Sequence, residues 1–362
     1  MMHIATTMWI QYASWALLLF TVGVSALPDA RLVVKRDTKC NGYSEFCNRK
    51  YSNITYMGTH DSFAIGKLGS LGSNQAASLT DQMEDGIRLL QVQTHKSDNS
   101  DSSNPSGLNL CHTSCTLKNG GTLESYLKKV GKFLNNNKNE VITLVMTNPD
   151  KRPVTDFAKA FENANVKDLT YKPNSQKISK KDWPTLQQMI NKNQRLVVFL
   201  DDKADFDQVN YILPEFRNIW ENDFDQTTSK FNCTPSRYVG DTSTMMYMIN
   251  HFLDKTIFTD KITSPDTNKI DQTNSVKSIL GDANNCAKRH DSYPTFVLVD
   301  YYSSGNGSVF EAAAQINNVD YKNKPLAASK DESNNNSAAM AFPDANWLGI
   351  ALVFVSTITW LS

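Results

Sequence analysis

The stretch Ile54-Thr55-Tyr56-Met57-Gly58-Thr59-His60-Asp61-Ser62-Phe63 begins as a short apolar run with β-branched and aromatic residues, which reads as a buried strand. It stops on Thr-His-Asp-Ser, so a group that titrates near neutral pH stands at the carboxyl end of a strand. In sheets and barrels of parallel strands, catalytic groups gather at that end. The competing reading makes His60 a hydrogen-bonded loop histidine and Asp61 the cap of the next turn. Partners for His60 elsewhere in the chain would separate the two.

Working outward, the flanks of the chain differ from its middle. Trp9 to Val24 is mostly apolar and is followed by the small residues Val24-Ser25-Ala26, the pattern of a secretory signal over residues 1–26. Lys35-Arg36 resembles a dibasic processing site, so residues 27–36 read as a short propeptide and the mature chain as starting near Asp37. From Lys322 the chain turns polar and Asn/Ser-rich, a stalk over residues 322–337. Residues 338–362 then combine small residues, a short spacer and an uncharged apolar terminus, the pattern of a GPI-anchor signal. A weak single-span tail anchor is the alternative. These features together predict a secreted protein held to a membrane or wall by lipid.

The chain of 362 residues has a formal net charge of +0, so no basic excess points to nucleic acid. Its six cysteines, Cys40, Cys47, Cys111, Cys115, Cys233 and Cys286, form an even set in a secreted chain and imply disulfides. Cys40 with Cys47 and Cys111 with Cys115 can close small loops, leaving Cys233 with Cys286, although sequence alone leaves the connectivity open. Cys111-x-x-x-Cys115 has no second ligand pair at zinc spacing, so no metal is expected. Glycosylation sequons stand at Asn53, Asn232, Asn306 and Asn335.

Along the middle, strands are predicted at Gly86 to Gln93, Glu140 to Thr147, Arg195 to Leu200, Met245 to Ile249 and Thr295 to Val299. Leu108 to His112 is a short extended segment. Helices are predicted at Ser78 to Glu84 with Asp81-Gln82 exposed, Leu123 to Leu134, Val154 to Asn165, Phe206 to Trp220 with a break at Pro214, and Val309 to Ile316. The strands are apolar on both faces and alternate with helical patterns, which means a parallel α/β arrangement. A single TIM-type (β/α) barrel over residues 37–321, irregular or incomplete, accounts for this rhythm without a linker. The glycines near Leu68 fit neither GxGxxG nor a P-loop, which argues against a nucleotide site.

The polar residues just past strand ends are His60, Asp61, Gln91, Gln93, His112, Asp201 and Asp300. Two histidines with two carboxylates suit general acid–base chemistry, each carboxylate fixing the tautomer of one imidazole. Phosphodiester cleavage needs such a pair and also a cation for the phosphoryl charge.

Met57-Gly58-Thr59-His60-Asp61-Ser62, Gly86-Ile87-Arg88-Leu89-Leu90-Gln91-Val92-Gln93, Leu110-Cys111-His112 and Val297-Leu298-Val299-Asp300-Tyr301 resemble motifs of the phosphatidylinositol-specific phospholipase C X-domain superfamily. The likeness is greatest to its secreted, metal-independent PLC-like phosphodiesterases, including fungal members. It implies a TIM-type barrel, His60 as general base supported by Asp300, and His112 as general acid with Asp61 as its partner. It also places substrate contacts at Gln91, Gln93, Asp201 and Tyr301. The chain departs from the family where an arginine binds phosphate and an acidic residue precedes it: these places hold Gln93 and Gln91. A neutral amide brings no charge to a phosphate, and charge-assisted bonds are roughly twice as strong. The same two amides argue against calcium or magnesium.

Arg88, inside its strand, reads as either a substitute cation or half of a salt bridge beneath the barrel. His95, Lys96 and Lys203 are other possible cations, with His95 read as solvent-exposed. His251 reads as a capping or core residue, and His290 as a loop residue beside Asp291. The expected function is an extracellular phosphodiesterase acting on a phospholipid or glycophospholipid headgroup without cofactor. The alternative is a cell-surface barrel that binds anionic headgroups or glycans with little or no turnover.

Overall fold

The computed structural model of the protein describes residues 38–97, 104–256 and 263–327. The leader, the processing site, the anchor signal, the stalk beyond residue 327 and the sequon at Asn335 lie outside the described residues.

Eight parallel strands carry the architecture: β1 Tyr56–Thr59, β2 Leu89–Lys96, β3 Ile142–Thr147, β4 Leu196–Leu200, β5 Ile212–Pro214, β6 Ile219–Glu221, β7 Met246–Asn250 and β8 Phe296–Val299. They hydrogen-bond in the order β5-β4-β3-β2-β1-β8-β7-β6. That is chain order around a ring, so the sheet is a TIM-type barrel left open between β5 and β6. Around it lie α1 Leu79–Asp85, α2 Leu123–Asn136, α3 Val154–Asn163, α4 Leu186–Asn191, α5 Val276–His290 and α6 Ser308–Ile316. Hydroxyl caps start four of these helices: Ser78, Thr122, Thr185 and Ser275 each accept a backbone N–H of the first turn. α2 turns Leu123, Tyr126, Leu127, Val130 and Leu134 inward at helical spacing, as predicted.

Alternation along the strands sets which side chains fill the barrel. Tyr56, Leu89, Val145, Val197, Phe199, Met248, Phe296 and Leu298 pack in one buried cluster, with Tyr51 and Trp183 beneath them. Their neighbours Met57, Leu90, Val92, Leu144, Met146 and Val198 pack outward with the helices. Continuing the inward series past each apolar residue reaches His60 just after β1, Gln91 and Gln93 on β2, Asp201 after β4, Glu221 on β6, Asn250 on β7 and Asp300 after β8. The same periodicity that builds the core therefore delivers the polar residues to one mouth.

The open seam follows from its sequence. Pro214 ends β5 without an N–H to donate, and only the single turn Glu215–Asn218 separates it from β6. The edge of β6 is covered by Ser236 and Arg237, whose backbone bonds to Glu221. Arg237 also pairs with the buried Glu221 carboxylate and lies over the rings of Phe216 and Phe224.

Several sequence expectations change here. Phe206 to Trp220 is not a helix; it holds β5, one turn and the start of β6. α5 went unpredicted, because its buried side is only Ile279, Asp282, Ala283 and Cys286. Gln82, expected on the surface, is fully buried: its amide donates to the carbonyls of Ser62 and Ala77, and its carbonyl accepts from Thr59. Packing also continues past residue 322, with Leu326 buried and Lys324 donating to the Glu84 carbonyl.

The disulfides are Cys40–Cys47, Cys111–Cys115 and Cys233–Cys286. Asn53 and Asn306 are exposed, whereas Asn232 is half-buried and donates to Asp223.

Candidate active site

His60 follows β1 directly, and its N–H bonds to the Val299 carbonyl, which extends the pairing of β1 with β8. That register sets His60 beside Asp300. Nδ1 of His60 lies 3.0 Å from Oδ1 of Asp300. The same oxygen accepts from the Asn74 amide at 3.0 Å. Phe252 stacks on the imidazole, with ring centroids 4.2 Å apart and planes 6° apart. One nitrogen and one face of His60 are thus fixed, and Nε2 points to the mouth.

Asp61 adopts a left-handed backbone conformation, φ 40°, which turns the chain off the strand. Its N–H donates to the Gln91 carbonyl oxygen Oε1 at 2.8 Å. Its fully buried carboxylate becomes the hub of the site. Oδ2 lies 3.9 Å from Nε2 of His60, 3.4 Å from Nε2 of His112 and 2.8 Å from Nε2 of Gln93. Oδ1 has no hydrogen-bond partner among the described residues.

His112 arrives by another route. The end of β2 pairs antiparallel with Leu108–Cys111, which runs back toward the barrel and delivers His112 level with Gln93. A second antiparallel segment, Asn119–Thr122, completes this hairpin.

Electrostatics separates the two imidazoles. Burial opposes a charge on His60, but the Asp300 and Asp61 carboxylates outweigh it and hold His60 at about 10. His112 goes the other way, pushed down to about 4 by burial and by the His60 charge, with Asp300 opposing. Burial lifts Asp61 to about 7, His60 opposing and Asp300 reinforcing. Asp254 is likewise raised to about 7 by burial and by Asp300, against His60. At neutral pH the pair therefore holds one proton, resting on His60.

Of the expected site residues, His60, Asp61, His112 and Asp300 converge on one mouth. Gln91 is buried and occupied by the Asp61 N–H, so it shapes the turn rather than meeting a substrate. Tyr301 is buried too: its hydroxyl donates to the Ser73 carbonyl at 2.6 Å, holding the loop after β1 rather than lining the mouth. Gln93 donates to Asp61 and accepts from the Thr113 N–H at 3.0 Å, so both ends of its amide are engaged. Asp201 stands at the mouth and accepts from the Asn148 N–H at 2.8 Å; burial raises it to about 6, against its hydrogen bonds and Arg237.

Arg88 forms the salt bridge beneath the barrel, with Nη2 2.7 Å from Glu140. His95 is half-buried beside Asp150 rather than solvent-exposed. His251 is a core residue between Asp282 and the Thr273 carbonyl. His290 ends α5, with Nε2 bonded to the Cys233 carbonyl, rather than lying in a loop.

Sequence reasoning missed Asn74, Gln75, Phe252 and Asp254. Asn74 and Gln75 close the Gly/Ser-rich loop back onto Ala64, and the Gln75 amide donates to the His60 carbonyl. The polar pair at the end of that loop was the one available signal; Phe252 and Asp254 follow β7 with no motif.

Among the described residues, the one cluster with metal-ligand geometry is Cys233, Asp282 and Cys286, and its sulfurs are joined in a disulfide. The inward places beside Asp61 are held by two neutral amides, a poor donor set for a hard divalent cation.

An open parallel barrel with two histidines and their carboxylates at its C-terminal mouth defines a phospholipase C-like barrel. The PI-PLC X family model, described as PI-PLC X 1, matches residues 46–317, and the chain belongs to that family. It is similar to the PI-PLC X domain-containing protein 1 of Arthroderma benhamiae, 39% identical over 84% of this chain and 96% of the relative. A second protein of that fungus, described as an uncharacterized secreted protein, is 41% identical over 79% of this chain, and the match spans 65% of the relative's length. Among solved structures, a phosphatidylinositol-specific phospholipase C from Staphylococcus aureus shares the fold, with a TM-score of 0.53 and 14% identity over 76% of this chain and 95% of that one.

Proposed function

We propose that the protein is an extracellular phosphoric diester hydrolase that cleaves the headgroup of a phospholipid or glycophospholipid by His60/His112 acid–base catalysis without a metal. The observation that carries this reading is the approach of both Nε2 atoms to one carboxylate oxygen of Asp61, while Asp300 orients His60 from behind. In the first displacement His60 takes the proton of the attacking oxygen, and His112 gives one to the leaving oxygen. If water then opens a cyclic phosphate, the roles reverse, and the resting protonation, with His60 charged and His112 neutral, matches that second step. A phosphodiester anion beside His112 favours its protonated form and so prepares the first step. In the second step the His60 imidazolium supplies the positive charge beside the phosphate that the missing arginine would otherwise bring.

An extracellular setting is supported by three disulfides and by the relative described as secreted. Attachment through a GPI anchor rests on the pattern at residues 338–362.

The second reading, a barrel that binds anionic headgroups with little turnover, is favoured by one observation. Among the described residues no lysine or arginine side chain bonds to Asp61, Asp300 or either catalytic histidine. Release of a water-soluble phosphorylated headgroup from labelled phosphatidylinositol vesicles decides between them. The enzymatic reading expects release that survives chelator and disappears in His60→Ala and His112→Ala. No release across a panel of phosphodiesters would leave the binding reading.

A further inference from the structure

The two histidines are held by different means. His60 has Asp300 on Nδ1 and Phe252 on its face. Nδ1 of His112 is buried and has no hydrogen-bond partner among the described residues. Nor does His112 sit on a barrel strand; it opens the loop between the two segments, Leu108–Cys111 and Asn119–Thr122, that peel away from β2. Apart from the approach of Nε2 to Asp61, its position comes from the backbone that carries it.

That backbone is tied down at close intervals. The disulfide Cys111–Cys115 encloses His112, Thr113 and Ser114, and Cys111 is fully buried. Thr113 is β-branched yet has φ 60°, a conformation that persists only where its surroundings impose it. Its N–H is taken by Gln93 Oε1 at 3.0 Å, while Gln93 Nε2 donates at 2.8 Å to the Asp61 oxygen that faces His112. The His112 N–H donates to the Lys118 carbonyl at 3.1 Å. Gln93 therefore links the carboxylate of one half-site to the loop of the other.

We propose that Gln93 and the Cys111–Cys115 disulfide form one positioning brace for His112, so that proton delivery to the leaving oxygen depends on the oxidised disulfide. This rests on the phosphodiesterase reading above. It makes Gln93 a positioning residue rather than a phosphate contact, which is why an uncharged amide is suited to this place. An arginine supplies donors but no acceptor, and would leave the Thr113 N–H unpaired.

The leaving group provides the test. A lipid alcohol needs the proton from His112, whereas 4-nitrophenolate leaves without one. Rates are compared on phosphatidylinositol vesicles and on the 4-nitrophenyl phosphodiester of inositol. In Cys111→Ala/Cys115→Ala, kcat on phosphatidylinositol should fall about 10²-fold, the scale of a 1 Å misplacement, with KM little changed. The nitrophenyl ester should be nearly spared. Cys40→Ala/Cys47→Ala, which removes a disulfide outside the mouth, should keep the wild-type ratio of the two rates. Should the Cys111/Cys115 variant fail to fold, Gln93→Met tests the same selectivity, and Gln93→Arg should be slower than wild type. Equal loss on both substrates, no loss on either, or a faster Gln93→Arg overturns the brace alone. A wild-type protein inactive on both substrates overturns the function and the brace with it.

Discussion

Nε2 of His112 lies 3.4 Å from Oδ2 of Asp61, the same oxygen that His60 Nε2 approaches at 3.9 Å. One buried carboxylate thus serves two imidazoles that reach it from different directions, His60 along the barrel strand and His112 along a returning hairpin. A charge on either ring is felt by the other, and the first effect is visible in their opposed proton affinities. The pair behaves as one acid–base unit whose single proton is moved by whatever charge enters the mouth.

Asp300→Asn tests what holds the proton on His60. Burial alone would lower the proton affinity of His60, and the Asp300 carboxylate is the first cause acting against it. The amide keeps the shape but removes the charge, so the His60 titration should move well down from about 10. Turnover should fall by roughly 10²–10⁴-fold, the range for a misoriented catalytic imidazole. NMR titration of the His60 ring checks this, and an unmoved titration would assign the shift to Asp61 instead.

The same shifts predict a pH dependence of stability. The folded-state value of His60, about 10, is above the ordinary value near 6.5, so the folded protein binds the extra proton. Its stabilising contribution is complete below about pH 6.5 and is lost as pH rises through about 10. His112 is depressed to about 4, so it costs stability as pH falls from about 6.5 toward 4. Urea unfolding of wild type and His60→Gln between pH 6 and about 10 should show the stability difference shrinking with pH. Parallel curves would remove His60 from the linkage.

The Cys233–Cys286 bridge joins residues 53 apart and ties the segment after β6 to α5. Chain-entropy reasoning gives about 4 kcal/mol for a closed loop of this length. Its sulfurs also lie near the Asp282 carboxylate that holds His251. Cys233→Ala/Cys286→Ala should lower unfolding free energy by about 2–5 kcal/mol while leaving the His60 and His112 geometry in place. Denaturant titration measures the loss, and an unchanged midpoint would show that α5 docks without the bridge.

How far the site could be read in advance depended on which residues sit in strands. β1, β2, β3, β4, β7 and β8 are apolar runs with turn residues at their ends; period-2 alternation brings His60, Asp300 and the two glutamines to one mouth, and Asp61 joins them through its left-handed backbone turn. β5 and β6 are three-residue strands separated by one turn. Segments that short carry no period, and the apolar spacing across Phe206 to Trp220 imitates a helix. α5 failed for the opposite reason: a long helix with few apolar positions leaves little stripe to see. Asn74 and Phe252 touch His60 or its partner only through tertiary folding of loops, and composition says nothing about where a loop returns.

Gly58 offers the last prediction, because it concerns how the apolar filling supports the chemistry above it. It faces the barrel interior two residues below His60. A Cβ at this position would lie 2.6 Å from Cδ2 and 2.9 Å from Cβ of Leu89, closer than real contacts allow. Leu89 is fully buried and its Cβ is fixed by the β2 backbone, so rotating the side chain cannot relieve both clashes. Two effects oppose each other in Gly58→Ala. Losing glycine's freedom in the unfolded chain favours the variant by about 0.4–1 kcal/mol, while overpacking a dense core costs about 1–3 kcal/mol. The second should win, and because β1 and β2 would be pushed apart, Asp61 and Gln91 should separate and activity should fall with stability. Adding Leu89→Ala vacates the space, so Gly58→Ala/Leu89→Ala should recover part of both losses relative to additivity. Melting curves and rates on the four proteins of that cycle check the coupling, and strictly additive losses would mean that the strand spacing yields without reaching the site.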